Sequence, residues 1–346
     1  MRIVTYPRKG LSPLANPYSS LLYRHMRACE ADVEEISFRN ILRGKCDVFH
    51  VQWPDYYLNR QFLTAVIGSP LFLLLVLWMR LKGTKVVWTA HNLQSHNRLH
   101  PFIESRFWHL FARMLNGYIT LTSSSMDAAL REFPELKRIP GFVIPHGHYR
   151  GVYPVTQTRD QARRILGLSV TAKVILFFGA IARYKNVPKL IEAFRQMQHQ
   201  DETILLVAGN PGSGEDREAV VRASASDSRV HLALERIPND SVQAYFLAAD
   251  LVALPFTEIT NSGSAILALS LDRPVLVPAR GSLPELQHNV GLEWVRTYSG
   301  DISSDELSAA LAWSLLPRPR TTPLEQLEWE SIGEATYRAF ETVLRQ

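Results

Sequence analysis

Cysteine is nearly absent: Cys29 and Cys46 are the only two in 346 residues. Two thiols make neither a disulfide framework nor a four-cysteine zinc site, so the expected setting is a reducing one. No G-x-x-x-x-G-K-[ST] run occurs. The glycine-rich stretch Gly209-Asn210-Pro211-Gly212-Ser213-Gly214 lacks the lysine that a P-loop needs. No G-x-G-x-x-G follows the first apolar run, which argues against a dinucleotide dehydrogenase. No two aspartates stand two apart, so a D-x-D metal clamp is missing. His91, His96 and His100 are spaced irregularly for one helical face, and chemistry without metal or cofactor is expected. The opening Met1-Arg2-Ile3-Val4 has no basic, apolar and small-residue succession of an export signal. It reads as a first strand, and the expected location is cytoplasmic.

What is present is globular. The chain is 46% hydrophobic and 21% charged, which excludes a largely disordered chain, and its length suits two packed domains. The net charge of +5 is uneven, with 19 Lys and Arg against 10 Asp and Glu in residues 1–150. A first half at +9 suits an anionic partner: phosphates, an acidic sugar, nucleic acid or a membrane surface. Most aromatics fall in apolar runs rather than among the basic residues, so nucleic acid is not expected.

Short β-branched runs alternate with amphipathic segments, the pattern of stacked βα units on parallel sheets. The expected strands are Arg2–Tyr6, Val33–Phe38, Asp47–Gln52, Lys85–Thr89, Gly117–Thr122 and Phe142–Pro145. A second series follows at Val174–Gly179, Thr203–Ala208, Val230–Leu234, Leu251–Phe256 and Val275–Val277. Two doubly wound α/β domains joined around 147–165 is the economical arrangement. Phe62–Met79 runs eighteen residues without a charge, but Gly68-Ser69-Pro70 is expected to break it, and it falls where a crossover helix is required. With Arg80, Lys82 and Lys85 at its end, it reads as a buried or membrane-touching helix rather than a span.

Two loops carry the chemistry. Thr257-Glu258-Ile259-Thr260-Asn261-Ser262-Gly263-Ser264 feeds a helix, whose N-terminus offers free N–H groups to an anion; Ser262 or Ser264 is equally suited to be only a cap. Gly179-Ala180-Ile181-Ala182-Arg183-Tyr184-Lys185-Asn186 places two cations after a parallel strand, where open α/β sheets bind ligands. Arg clamps phosphate bidentately and Lys supplies a mobile charge, so the two loops together suit a diphosphate.

Val143-Ile144-Pro145-His146-Gly147 with Tyr153-Pro154, Phe177-Phe178-Gly179 with Lys185, and Ala249–Pro255 with Ser262-Gly263-Ser264, Arg273-Pro274-Val275 and Gly281–Glu285 resemble the GT-B glycosyltransferases over nearly the whole chain. The resemblance implies two Rossmann-like domains facing across a cleft. An acceptor-binding domain would span 1–150, a donor-binding domain 151–324, and 325–346 would pack back on the first. Retaining members place two glutamates eight positions apart; here Glu258 is present but Ile266 and Leu267 stand where the second would be. The segments R-x-YKN and TNSGSAILALS…RPVLVP look more like bacterial exopolysaccharide transferases of the xanthan β-mannosyltransferase kind.

That likeness implies an inverting, metal-independent transfer of mannose from GDP-mannose to a lipid-linked oligosaccharide, at the inner face of the cell membrane. Such a transfer needs a base for the acceptor hydroxyl and cations for the departing diphosphate. Arg183 and Lys185 take the cation role, with Asn261, Ser262, Gly263 and Ser264 beside them and Glu258 available to sugar or ribose hydroxyls. Asp55 and His91 are the two candidates for the base. Gly10 would allow close backbone approach to the donor and Asn16 would line the acceptor side. The alternatives are a retaining transferase or an epimerase on the same fold, told apart by product anomer and by product without acceptor. A non-catalytic nucleotide-sugar-binding subunit is a further one.

Overall fold

Runs rich in Val, Ile, Leu and Phe become strands because both faces of a parallel sheet are covered by helices. A computed structural model describes residues 1–8, 17–43, 46–94, 99–197 and 202–346, and within these the strands form two six-stranded, all-parallel sheets. The chain divides into Met1–Gly147 with Glu325–Gln346, and His148–Leu324.

The first unit holds β1 (Arg2–Tyr6), β2 (Asp32–Glu35), β3 (Val48–Val51), β4 (Lys85–Ala90), β5 (Gly117–Thr120) and β6 (Gly141–Val143). Their order is β2-β1-β3-β4-β5-β6, so the winding reverses between β1 and β3. The helices Phe62–Leu81 and Pro101–Arg113 bury Phe72, Val76, Phe107 and Phe111 with Trp88 of the sheet. The helices Pro17–Ala28 and Trp329–Leu344 pack together and bury Leu22, Tyr23, Met26, Ile332 and Phe340 in a second cluster.

The second unit holds β7 (Lys173–Phe178), β8 (Thr203–Ala208), β9 (Val230–Ala233), β10 (Leu251–Ala253), β11 (Val275–Pro278) and β12 (Val295–Tyr298), in the order β12-β11-β10-β7-β8-β9. This winding reverses between β7 and β10. Ligands of open parallel sheets lodge beyond the carboxyl ends of the strands at such a reversal. A buried ion pair braces the opposite, amino-terminal ends of the central strands β7 and β10. Arg163, with no exposed surface, reaches Asp250 Oδ2 at 2.9 Å, and the same oxygen accepts the Val174 N–H at 2.8 Å. Arg159 bonds the other carboxylate oxygen.

Several sequence expectations are corrected. The strand expected to run to Phe38 ends at Glu35, because Ser37 and Asn40 bond reciprocally (Ser37 N to Asn40 Oδ1 2.7 Å, Asn40 N to Ser37 Oγ 3.3 Å) and open the helix Phe38–Arg43. The strand expected to reach Phe256 stops at Ala253, ahead of Pro255, which has no N–H to give a ladder. Gly68-Ser69-Pro70 does not break its helix, which runs unbroken from Phe62 to Leu81. Pro70 faces outward, and a methyl on Gly68 would meet the Tyr57 ring at 2.3 Å, so the glycine is where that ring packs. The edge strand β12 was not among the expected strands.

Candidate active site

In the second unit, four loops are stitched together at the carboxyl ends of the strands. After β7, Tyr184 O accepts from Thr257 N (2.8 Å) and Thr257 Oγ1 (3.1 Å) of the loop after β10. After β11, Arg280 donates to Thr257 O at 2.7 Å. After β8, Gly209 presses on the chain at Gly179 so closely that a methyl there would stand 1.8 Å from Gly179 O. The β7 and β10 loops therefore meet in a fixed geometry at the point where the winding reverses.

Gly179 is the centre of that meeting. Its φ of +133° is one that side chains rarely adopt, and a methyl there would stand 2.9 Å from Ser264 Oγ and 3.2 Å from Lys185 Nζ. A hydroxyl from one loop and an ammonium from another thus converge over a bare backbone. Ser262 caps the helix Gly263–Ser270, its Oγ accepting Ala265 N–H at 3.1 Å, so of the two serines it is the one that caps. The N–H groups of Gly263 and Ser264 lie in the first turn, without partners inside the helix and at the positive end of its dipole.

Lys185 is buried, 9% exposed, and Phe256 and Tyr184 lie near it with ring centroids 5.5 and 5.9 Å from Nζ. Among the described residues no carboxylate forms a salt bridge with it, and burial pushes its ammonium down to about 8. A buried charge left without a counter-ion is costly, so this side chain is poised for an anion. Arg183 is exposed two residues earlier, in the same short 3-10 turn. Glu258 is exposed and Asn261 half-buried in the loop after β10.

In the first unit the reversal lies between β1 and β3. Gly10 and Asn16, which follow β1 in the sequence, are outside the described residues. The loop after β3 carries Asp55 in the turn Pro54–Tyr56, where Asn59 Nδ2 donates to Asp55 Oδ2 at 3.0 Å and burial pushes the carboxyl up. His91, after β4, is 8% exposed, stacks on Trp53 (4.4 Å, 14°) and meets the edge of Tyr18 (4.7 Å). Burial, then the nearby His146 and His50, hold its imidazole well below the usual range.

Gln52, which sequence reasoning passed over, ties these elements together. Its Oε1 accepts from Ser19 Oγ (2.9 Å) and lies 3.3 Å from His91 Nε2. Its Nε2 donates to Tyr23 OH (2.7 Å), which reaches His50 Nδ1 (2.7 Å), whose Nε2 meets Thr89 Oγ1 (2.8 Å). An imidazole protonated at Nε2 would donate to this Oε1 and leave Nδ1 as the ring's acceptor. The signal in the sequence was His50 inside the otherwise apolar strand Val48–Val51, with Gln52 directly after it.

Among the described residues no group of three or more His, Cys, Asp and Glu stands together as a metal site. His100 Nε2 meets Arg60 O at 2.9 Å, and His96 is outside the described residues.

Residues 172–313 match the family of glycosyl transferases group 1. A GDP-mannose:glycolipid 4-beta-D-mannosyltransferase of Xanthomonas campestris pv. campestris is 31% identical over 338 residues, 94% of this chain and 88% of the relative. A lipopolysaccharide 1,2-N-acetylglucosaminetransferase of Salmonella typhimurium is 23% identical over 56% of this chain and 54% of its own length. Among solved structures, sucrose-phosphate synthase from Thermosynechococcus elongatus superposes with a TM-score of 0.66 at 17% identity, covering 99% of this chain and 95% of that one. Anabaena Alr3699/HepE in complex with UDP-glucose gives 0.65 at 15%, covering 100% and 98%. These two establish the shared fold.

Proposed function

The chain belongs to the GT-B glycosyltransferases, in the family of the Xanthomonas glycolipid mannosyltransferase, and from that membership we propose that it moves mannose from GDP-mannose, with inversion, onto a lipid-linked oligosaccharide. The observation that carries the donor half is the convergence over Gly179 of Lys185 Nζ, Ser264 Oγ and the N-terminus of the helix Gly263–Ser270. These groups take the diphosphate of the donor, with Arg183 at its outer side. As the bond from the sugar's C1 to the phosphate oxygen breaks, negative charge grows on that oxygen. A buried ammonium and fixed N–H dipoles stabilise it, a task that needs no metal ion.

The acceptor hydroxyl attacks C1 from the opposite face and loses its proton to a base. Of the two candidates, Asp55 is the better matched. Burial raises its carboxyl above the ordinary carboxylate value, which makes it a stronger base, whereas protonating His91 would put a charge inside an aromatic stack. His91 then acts as a neutral imidazole held by Gln52 and Trp53, accepting a hydrogen bond from a sugar hydroxyl rather than taking the proton. Glu258 serves sugar or ribose hydroxyls. Residues 1–147 serve the acceptor and 148–324 the donor, with the protein held peripherally at the inner membrane face.

The test uses GDP-mannose and a lipid-linked oligosaccharide acceptor, with the product anomer read by NMR. A β-mannoside is expected, and Asp55→Asn is expected to lower kcat by about 10²–10⁴ with donor affinity unchanged. An α-mannoside would make the enzyme retaining, a sugar released without acceptor would make it an epimerase, and an unchanged rate in Asp55→Asn would remove Asp55 as the base.

A further inference from the structure

The helix Phe62–Leu81 has two apolar faces, and only one is used. Ala65, Phe72, Val76 and Met79 enter the core of the first unit. The opposite stripe, at the three- and four-residue spacing of one helical face, is Leu63, Ile67, Leu71, Leu74, Trp78 and Leu81, each 40–75% exposed. On a water-facing helix that stripe would be polar. The surface continues to either side. The helix Pro101–Arg113 lies alongside, joined at one end through His100 and Phe62 (5.7 Å) and at the other by Arg80 bonding Met114 O, and it exposes Phe102 and Leu110. Trp78 Nε1 donates to Ile41 O at 3.1 Å, which brings in the helix Phe38–Arg43 with its exposed Phe38 and Leu42. Soluble monomers rarely leave so continuous an apolar surface bare.

The border of this surface says what covers it. Arg60 lies over Tyr56 (4.8 Å), Lys82 over Trp78 (4.5 Å) and Arg106 over Phe102 (4.5 Å), so cations ride on aromatics around the apolar stripe. From Tyr56 to Ile103 the chain carries five Lys and Arg and no Asp or Glu. An apolar floor with a cationic, aromatic border matches the boundary between acyl chains and anionic headgroups. A second copy fits poorly, because a two-fold contact would bring like-charged borders together.

We propose that the outer faces of the helices Phe62–Leu81, Pro101–Arg113 and Phe38–Arg43 form one docking surface for a bilayer bearing anionic lipid, with Phe62–Leu81 lying in the plane of the membrane. At 20 residues this helix is long enough to cross, about 30 Å at 1.5 Å per residue. It cannot do so in this fold, because it is the crossover between the adjacent parallel strands β3 and β4 and its inner face belongs to the core. The inference adds a surface and a lipid charge to the peripheral association proposed above, and it stands on the geometry of the helices whatever the sugar.

The test is co-sedimentation of the full chain with vesicles of phosphatidylcholine alone and with phosphatidylglycerol added. Binding is expected only with the anionic lipid and is expected to fall about fivefold for each charge removed by Lys82→Gln or Arg106→Gln. The pair Leu71→Gln and Leu74→Gln is expected to weaken it by about tenfold or more, while thermal unfolding and GDP binding stay at the wild-type level. Wild-type protein that ignores both vesicles would overturn the proposal. So would a dimer in the ultracentrifuge that the Leu71→Gln, Leu74→Gln pair makes monomeric, which would assign the face to a second copy. Loss of GDP binding with vesicle binding intact would count against the proposed reaction and leave the surface standing.

Discussion

Replacing Lys185 by Met is expected to stabilise the ligand-free protein while weakening nucleoside diphosphate binding about 10²-fold and transfer about 10³-fold. The two effects have opposite signs for one reason. Without ligand, the ammonium is buried near Phe256 and Tyr184 with no carboxylate salt bridge among the described residues, so removing the charge removes a desolvation cost. In the proposed donor complex the same charge would be the buried contact to the diphosphate, and losing one such donor costs on that scale. A merely misfolded variant would lose both.

The pH dependence gives a second signature. The free lysine titrates near 8, below its unfolded value of about 10.4, so between those values the unfolded chain holds a proton that the folded one has released. This residue's contribution to ligand-free stability therefore rises as pH climbs from about 8 to about 10.4. A bound diphosphate favours the ammonium and raises its pKa, so binding takes up a proton and affinity falls above about pH 8, by at most about tenfold per unit. Calorimetry across that range should show the fall in wild type and a flat line in Lys185→Met. A flat wild-type profile would separate Lys185 from the ligand.

The second large effect is on stability. Asp250→Ala is expected to cost about 3–5 kcal/mol, a large share of a typical folding free energy of about 5–15 kcal/mol. The carboxylate neutralises Arg163, which has no exposed surface, and also accepts the Val174 N–H that begins the central strand β7. Its removal strands a buried charge and a backbone donor together. Urea unfolding should show a midpoint shift of that size. A shift under about 1 kcal/mol would mean that water reaches Arg163, and the pair would then be an ordinary surface one.

Much of the frame was legible in the chain. Arg2–Tyr6 and Thr203–Ala208 are strands within the very bounds expected, because each is an apolar, largely β-branched or leucine-rich run between polar stops. The placement of Lys185 and the Ser262–Ser264 turn beyond strand ends was legible because each follows an apolar, strand-forming run. What failed was local competition. Ser37 and Asn40 bond each other and end a strand that propensity would continue, and Gly68 survives inside a helix because Tyr57 fills the space above it. The Gln52 network was hidden for another reason: Ser19, Tyr23, His50, Thr89 and His91 come from three separate segments, and nothing in their spacing shows that the fold gathers them. The outward apolar stripe of Phe62–Leu81 was legible as hydrophobicity, but only the packing tells which half of it is left uncovered.

The most direct measurement is a calorimetric titration of the wild-type protein with GDP, UDP and ADP, run with a chelator and again with Mg²⁺. The account predicts that GDP binds at least about tenfold more tightly than the other two, a difference of about 1.4 kcal/mol, that the chelator changes nothing, and that Lys185→Met weakens all three alike, because it removes a contact to the diphosphate they share. A preference for UDP or ADP would contradict the mannose donor while leaving the loop cluster in place. No binding of any of the three would contradict the site over Gly179 itself.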